Sequence, residues 1–460
     1  MLIYPNITDY PIDISYGLAS ISAVLKAAGH QVRIVDFTFN KRMSALTAIL
    51  KEFKPDAIGM PVASNDFDFC VRIGKHIKGH TKVPLITGGY HTTLAPEDIL
   101  NEDCFDIAVI GEGENPFLQI LEHLDNPGTY ESLKSIKGIC YKKSDEIIYN
   151  QLDCLNQNPD QLPFPDKSLF DYQRYLNLNR GLATFISSFG CPYSCSYCIN
   201  KALLNKFGKK GFLRLKTVHY LMKEIQWVMN RYAIRELEFY DDTFTLNRQR
   251  LEEFCNIYPK QIGLPFSINS RVDTIKEDEY FMLKNAGCKR ISFGIECGDA
   301  EIRNGILRRN QSDEQILKAF RIAKEVEIET LSYTMVGIPY ETKESISKSI
   351  ALNRDCEPDY VAVSIFNAYK GTELYDHCKE KGWLRTDKGL SYFQTTNVDH
   401  PNFTIKELKT IRDRFGYEVY KKSNYKRAVI DLMDKTLIKN RLYQGFRSYL
   451  IRHGIKDFIK

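Results

Sequence analysis

The chain reads as an α/β protein: a doubly wound parallel sheet, then a partial (βα)6 barrel, then a helical C-terminal segment. Three observations predict this. Short apolar runs alternate with amphipathic stretches five times within the first 125 residues, as in a parallel sheet whose crossovers are helices. The alternation restarts near residue 182 with six longer units, three-quarters of an eightfold barrel. From Pro401 onward the strand signal is lost and the apolar spacing becomes helical. At 460 residues the chain is also longer than one hydrophobic core ordinarily holds. The expected division is 1–135 for the first sheet, 136–175 for a hairpin and linker, 176–390 for the barrel and 391–460 for the tail.

In the first domain, strands are expected at 2–5, 32–36, 57–61, 84–87 and 107–110, with helices such as 18–28 and 43–53 between them. Lys54-Pro55-Asp56 stops the second of those helices. Sheets of this kind bind ligands at the carboxyl ends of their strands. Two glycine-rich turns fall there, Thr87-Gly88-Gly89-Tyr90-His91 and Gly111-Glu112-Gly113-Glu114. A hairpin is expected over 138–150, and Leu162-Pro163-Phe164-Pro165-Asp166 marks the linker. In the barrel, strands are expected at 183–187, 236–240, 266–271, 290–295, 330–336 and 360–366. Helices at 218–231, 251–258, 277–286 and 344–354 separate them. The tail from 401 carries 15 Lys and Arg against 6 Asp and Glu, a net of +9 in a chain whose total is +5. Its plain reading is a helical cap with a solvated basic face; the sharper one is attraction to anionic lipid or an anionic substrate.

Composition narrows the function. Apolar residues make up 43% and charged residues 26%, a folded composition. No apolar run approaches the roughly 18 residues of a membrane span. The opening MLIYPNITDYPID lacks the basic and apolar regions of a secretory signal, so a cytoplasmic chain is expected, with at most peripheral membrane contact through the basic tail. A net +5 is too small to argue for nucleic acid. Twelve cysteines in such a chain point to metal or redox use and not to a disulfide framework. Nine are scattered, and buried free cysteine packs as a small apolar residue. Cys191, Cys195 and Cys198 differ: C-x3-C-x2-C puts three thiols within eight residues, directly after the first barrel strand. Thiolates are soft ligands that select iron–sulfur clusters or zinc. Zinc wants a fourth ligand at a second short spacing, and neither flank supplies one. A 4Fe-4S cluster on three thiolates keeps one iron open for chemistry.

This motif, after the first strand of a six-unit barrel, resembles the radical S-adenosylmethionine superfamily, and the α/β domain ahead of it resembles the cobalamin-binding branch. Tyr197, just before the third cysteine, sits where the family usually has an aromatic. Segments 12–17, Gly88-Gly89-Tyr90-His91, Ile110-Gly111-Glu112-Gly113-Glu114, Tyr240-Asp241-Asp242-Thr243-Phe244, Phe293-Gly294-Ile295-Glu296 and Gly337-Ile338-Pro339-Tyr340-Glu341-Thr342 also agree, in order, over roughly residues 1–380. The resemblance implies that the open iron chelates S-adenosylmethionine, whose reductive cleavage gives a 5′-deoxyadenosyl radical that abstracts hydrogen from an unreactive carbon. It implies Cys191, Cys195 and Cys198 as cluster ligands and Tyr197 beside the S-adenosylmethionine. Asp241 or Asp242 would accept from the methionyl ammonium, with a helix N-cap before Thr243 as the competing role. Arg271 would pair with the methionyl carboxylate and Glu296 with the ribose, against ordinary rim ion pairs. Gly337 and Pro339 would let backbone approach the cofactor, or simply form a turn.

For the first domain the resemblance implies cobalamin, with Ser64, Gly88, Gly89 and His91 lining its tail, although a structural His91 is the competing reading. No Asp-x-His-x-x-Gly ligand motif is present, since the loop from Asn6 to Tyr16 has no histidine. Cobalamin would bind without a protein histidine on cobalt, or the domain has lost it. Two departures stand out: Ser188-Phe189-Gly190 where relatives commonly have Ser-Arg-Gly, and Ala368-Tyr369-Lys370-Gly371-Thr372 in place of Pro-Tyr-Pro-Gly-Thr. The implied activity is cobalamin-dependent C-methylation of a small-molecule or lipid substrate, with flavodoxin or ferredoxin as electron donor. The alternatives are a radical rearrangement, cyclisation or dehydration in which cobalamin is non-methylating or absent, and a methylthiotransferase with a second cluster on Cys70, Cys104 and Cys140. A cobalamin or S-adenosylmethionine sensor with an idle barrel is the reading outside enzymes.

Overall fold

The computed structural model describes residues 1–6, 14–125, 132–144, 146–385 and 395–437. Part of the loop from Asn6 to Tyr16, and tail residues from 438 on, lie outside these described residues. Two compact units are present. Of the described residues, one comprises those within Met1–Tyr193, Cys198–Leu237 and Tyr369–Glu373; the other comprises those within Ser194–Tyr197 and Glu238–Ala368 and from Leu374 on.

The first unit is built on β1 (Leu2–Tyr4), β2 (Ile34–Asp36), β3 (Ile58–Pro61), β4 (Leu85–Gly88) and β5 (Ile107–Val109), paired in parallel in the order β2-β1-β3-β4-β5. Their apolar side chains, with those of helices Met43–Phe53 and Phe67–Lys78, make one core that includes Ile3, Val35, Leu46, Ile58, Ile73 and Leu85. The helix Met43–Phe53 has the expected bounds, and Lys54 in the left-handed region ends it. The expected hairpin forms as β6 (Ile139–Lys143) and β7 (Glu146–Tyr149). It does not stand apart as a linker: β6 pairs antiparallel with β5, extending the sheet to seven strands. Alternation in 138–150 shows the hairpin, but which edge it joins is a long-range pairing that sequence does not carry.

The barrel strands are β8 (Leu182–Phe185), then β11 (Glu236–Phe239), β12 (Phe266–Ser270), β13 (Cys288–Glu296), β14 (Glu329–Val336) and β15 (Tyr360–Ile365). A two-residue pair, β9 (Ser188–Phe189) with β10 (Arg214–Leu215), intervenes. The six long strands form a sheet in the order β15-β14-β13-β12-β11-β8, with β12 to β15 paired in parallel. All six expected strands are present, most within a residue or two of the expected ends. Helix Ile405–Tyr420 packs Leu408, Phe415 and Val419 against Val336, Val361 and Ile365, so this part of the tail is a cap on the second unit's sheet. Helix Tyr425–Leu437 buries Ala428 in the same core and exposes Met433 and Leu437. Among the described residues no helix is long and apolar enough to cross a membrane. Of the nine scattered cysteines, seven are buried as expected, Cys255 is half-buried, and Cys154 is exposed.

Candidate functional site

The segment that follows β8 carries the three thiols. Cys191 and Cys195 are buried, while Cys198 is half-buried and caps helix Ile199–Phe207. Gly190, just ahead of them, has φ +83, and a Cβ there would lie 2.4 Å from the Phe212 carbonyl oxygen. Only glycine tolerates that approach. Among the described residues no three His, Cys, Asp or Glu side chains converge on one point as a single ion requires. A cubane asks something else, one iron for each thiolate, and a set of three soft sulfurs on one short segment suits that donor chemistry. At Phe189, where an arginine is absent, the Arg214 guanidinium lies 5.5 Å from the ring centroid and is itself bonded to Glu112.

Cys195 stands among charges that sequence reasoning only half anticipated. Arg271, directly after β12, points Nη1 at Cys195 Sγ at 3.7 Å. Its Nε and Nη2 each donate to Asp273 at 2.9 Å, and Nη2 also donates to the Arg309 carbonyl at 2.8 Å. The fork expected to take a ligand carboxylate is thus engaged by a neighbour two residues on. Arg309 is buried as well: Nη2 donates to the Gly294 carbonyl at 2.5 Å, Nη1 to Tyr197 Oη at 3.3 Å and Nε to Gln311 Oε1 at 3.3 Å. Gln311 Nε2 donates to Asp273 Oδ1 at 2.7 Å and links the two arginines. Burial works against the Arg309 charge, but Tyr197, Glu296 and Cys195 outweigh it and hold the guanidinium well above its usual range.

Glu296 ends β13 with φ +65, beside a register shift between Gly294 and Glu296. Its carboxylate lies 3.8 Å from Arg309, and a Cβ on Gly294 would meet that same carboxylate at 2.4 Å. Burial pushes the Glu296 carboxyl above the usual range, with Arg309 and Tyr197 pulling the other way. Tyr197, Arg271 and Glu296 are therefore brought together, through Asp273, Arg309 and Gln311, which the motifs did not flag. A signal existed: Arg271-Val272-Asp273 is a charged pair at a strand end, and Arg308-Arg309-Asn310-Gln311 is a polar run following Glu296.

Asp241 is buried beyond β11, its carbonyl accepting from Asn269 Nδ2 at 3.3 Å, while Asp242 is exposed. The N-cap position before the short turn Phe244–Leu246 belongs to Thr243, whose hydroxyl donates to the Asp242 carbonyl at 2.7 Å. Gly337 has φ +78 and opens a tight loop: Glu341 Oε2 accepts from the Gly337 and Ile338 N–H groups at 2.6 and 3.3 Å, around Pro339. His400 Nε2 lies 2.8 Å from the Ile338 carbonyl oxygen.

In the first unit Ser64 and His91 meet, Oγ to Nδ1, at 3.0 Å. His91 is buried against Phe67, and its Nε2 faces Asp98 at 3.6 Å. Lys370 grips both Asp98 oxygens at 2.5 and 2.6 Å. The residue that replaces the usual proline thus has a partner, and its turn survives with Gly371 at φ +83 and Thr372 N–H bonded to the Tyr369 carbonyl. Gly89, at φ +92, would set a Cβ 3.1 Å from the Val62 carbonyl oxygen, whereas Gly88 faces an ordinary 4.0 Å contact. Of the two, Gly89 is the one packed closely against backbone.

Two domain families match the chain, B12 binding domain over residues 12–121 and Radical SAM superfamily over residues 185–352. An uncharacterized methyltransferase of Pyrococcus horikoshii is 29% identical over 456 residues, covering 96% of this chain and 93% of its own. The anaerobic magnesium-protoporphyrin IX monomethyl ester cyclase of Cereibacter sphaeroides is 24% identical over 305 residues, 64% of this chain and 48% of its own. In fold, the radical S-adenosylmethionine methyltransferase TsrM of Kitasatospora setae is similar with a TM-score of 0.71 at 16% identity, over 84% of this chain and 77% of that one. A doubly wound sheet of the B12-binding kind, followed by a partial barrel with three thiols after its first strand, defines a radical enzyme. The chain carries a B12 binding domain ahead of a Radical SAM superfamily domain, the pairing of the cobalamin-binding radical enzymes.

Proposed function

We propose that this chain is a cobalamin-dependent radical methyltransferase acting on an unactivated carbon of a small-molecule or lipid substrate. The observation that carries the reading is near end-to-end similarity to a methyltransferase, in a chain with both domain families. Cys191, Cys195 and Cys198 would hold the 4Fe-4S cluster. Tyr197, Asp241, Asp242, Glu296 and the loop of Gly337 and Pro339 would surround S-adenosylmethionine, and Ser64, Gly88, Gly89 and His91 the cobalamin tail. When bound, these groups supply a carbon-centred radical and a transferable methyl group. The chain's own part is ligation, orientation and exclusion of water. Buried Asp241 offers a carboxylate acceptor for an ammonium at a strand end. Electrons would come from a flavodoxin or ferredoxin.

The test is anaerobic turnover with S-adenosylmethionine labelled in its methyl group. Label in the product together with 5′-deoxyadenosine supports the reading. Deoxyadenosine with no label transferred sinks methyl transfer and favours the second reading, a radical cyclisation or rearrangement, to which the similarity with the magnesium-protoporphyrin ester cyclase lends support.

A further inference from the structure

Arg271 of the second unit has a geometry that exceeds an ion pair. A bidentate pair with Asp273 would be complete on a rim, yet this guanidinium is 4% exposed and its remaining nitrogen lies 3.7 Å from the sulfur of Cys195, itself 6% exposed. Three restraints hold it there. Asp273 takes two of its nitrogens, the Arg309 carbonyl takes a further bond, and Gln311 fixes Asp273 from the far side. Cys195 is fixed from its own side as well, since the next residue, Ser196, donates from N to the Leu307 carbonyl at 3.2 Å and from Oγ to the Ile306 carbonyl at 2.5 Å. Cation and thiol are therefore both clamped to the loop that follows β13.

The geometry points to Arg271 as a positioning residue that holds a cation and an N–H donor on the Cys195 thiolate and so raises the reduction potential of the cluster ligated there. The inference rests on Cys195 being a cluster ligand. Hydrogen bonds and net charge at ligand sulfurs set iron–sulfur potentials, and added positive charge favours the reduced, more anionic state. Arg271 faces Cys195 in a low-dielectric setting, where such a charge is poorly screened. Asp273 opposes the effect by its charge but secures the fork geometry that aims Nη1.

The experiment uses the full chain purified anaerobically, with iron and sulfide counted and the midpoint potential read by an electron paramagnetic resonance titration. R271Q should keep its iron and lower the midpoint by about 59 mV or more, a tenfold change in a one-electron equilibrium. R271K, which keeps the charge, should recover most of that shift. An R271Q protein with full iron and an unchanged midpoint overturns the inference. Should R271Q lose its cluster, D273N decides: a changed midpoint with iron retained supports the positioning role, and an unchanged one overturns it. Wild-type protein without iron would instead sink the ligand assignment of the cysteines, a separate failure.

Discussion

Glu341 is fully buried in the loop that follows β14, with Oε2 accepting from two backbone N–H groups. Its Oε1 has no hydrogen-bond partner among the described residues. Burial raises its pKa from 4.5 to about 8, against the pull of the Gly337 and Ile338 N–H groups, with Asp299 adding to the rise. A carboxyl raised on folding binds its proton more tightly in the native state. The stability tied to that proton is complete below the unfolded value, and it is lost as pH climbs through the folded one. Wild-type protein should therefore lose on the order of 3 kcal/mol relative to Glu341→Gln between about pH 5 and pH 8, read by denaturant unfolding across that range. Parallel curves for the two proteins would show that Glu341 is ionised in the fold. On the other unit, His91→Ala removes the bond to Ser64 and the ring packed on Phe67. Cobalamin affinity should fall about five- to tenfold, one hydrogen bond's worth, with iron per chain unchanged. A visible-absorbance titration with cobalamin checks it, and unaltered affinity would make His91 structural.

Loop geometry after β13 decides how the charged residues of the second unit meet. Gly298 lies against helix Lys343–Cys356, where a Cβ would stand 2.4 Å from the Ser349 Cα and 2.5 Å from the Lys348 carbonyl oxygen. Both neighbours are backbone, so neither can swing aside. Gly298→Ala should therefore cost about 2–4 kcal/mol and lower the melting temperature by several degrees, as overpacking does. Calorimetry reads this directly; a loss under about 0.5 kcal/mol would mean that the helix shifts freely. The next residues form a π-helical turn, Ile302–Ile306, in which Arg303 is fully buried and donates to the Cys297 and Gln311 carbonyls at 3.0 and 2.9 Å. None of this was legible in sequence. A π-turn has neither the period of a strand nor that of a helix, and Asp273 and Gln311 meet across 38 residues. The strands of the two large sheets were legible because each is a short segment of three to nine residues, rich in apolar side chains and bounded by turn formers. The cysteine segment was legible because its residues are local, and so were Arg271 and Glu296 at strand ends, whereas Asp273, Arg309 and Gln311 were not because tertiary packing assembles them.

Over the whole molecule, cofactor stoichiometry separates the remaining activities. A methylthiotransferase would need a second cluster, and Cys70, Cys104 and Cys140 are the thiols whose spacing suggested one. All three lie in the apolar core of the first sheet, beside Ile73, Leu85 and Ile110. Burial pushes the Cys70 thiol well above the ordinary range, Cys104 up to about 11 and Cys140 up to about 12. Metal ligation needs thiolates, and a thiol held protonated in a packed core is inert. The Cys70 sulfur instead donates weakly to the Pro61 carbonyl at 3.8 Å, and the Cys104 sulfur would meet a Cβ on Gly74 at 2.7 Å, close packing with little room for a cubane. Reconstituted protein should accordingly hold about four iron atoms and one cobalt per chain, not eight iron. Replacing Cys70, Cys104 and Cys140 together by Ala should leave iron unchanged and cost several kcal/mol of stability through lost packing. Replacing Cys191, Cys195 and Cys198 should abolish the brown chromophore and deoxyadenosine formation while the fold persists. Eight iron atoms in the wild type, halved by the first triple variant, would overturn this division and restore the methylthiotransferase reading.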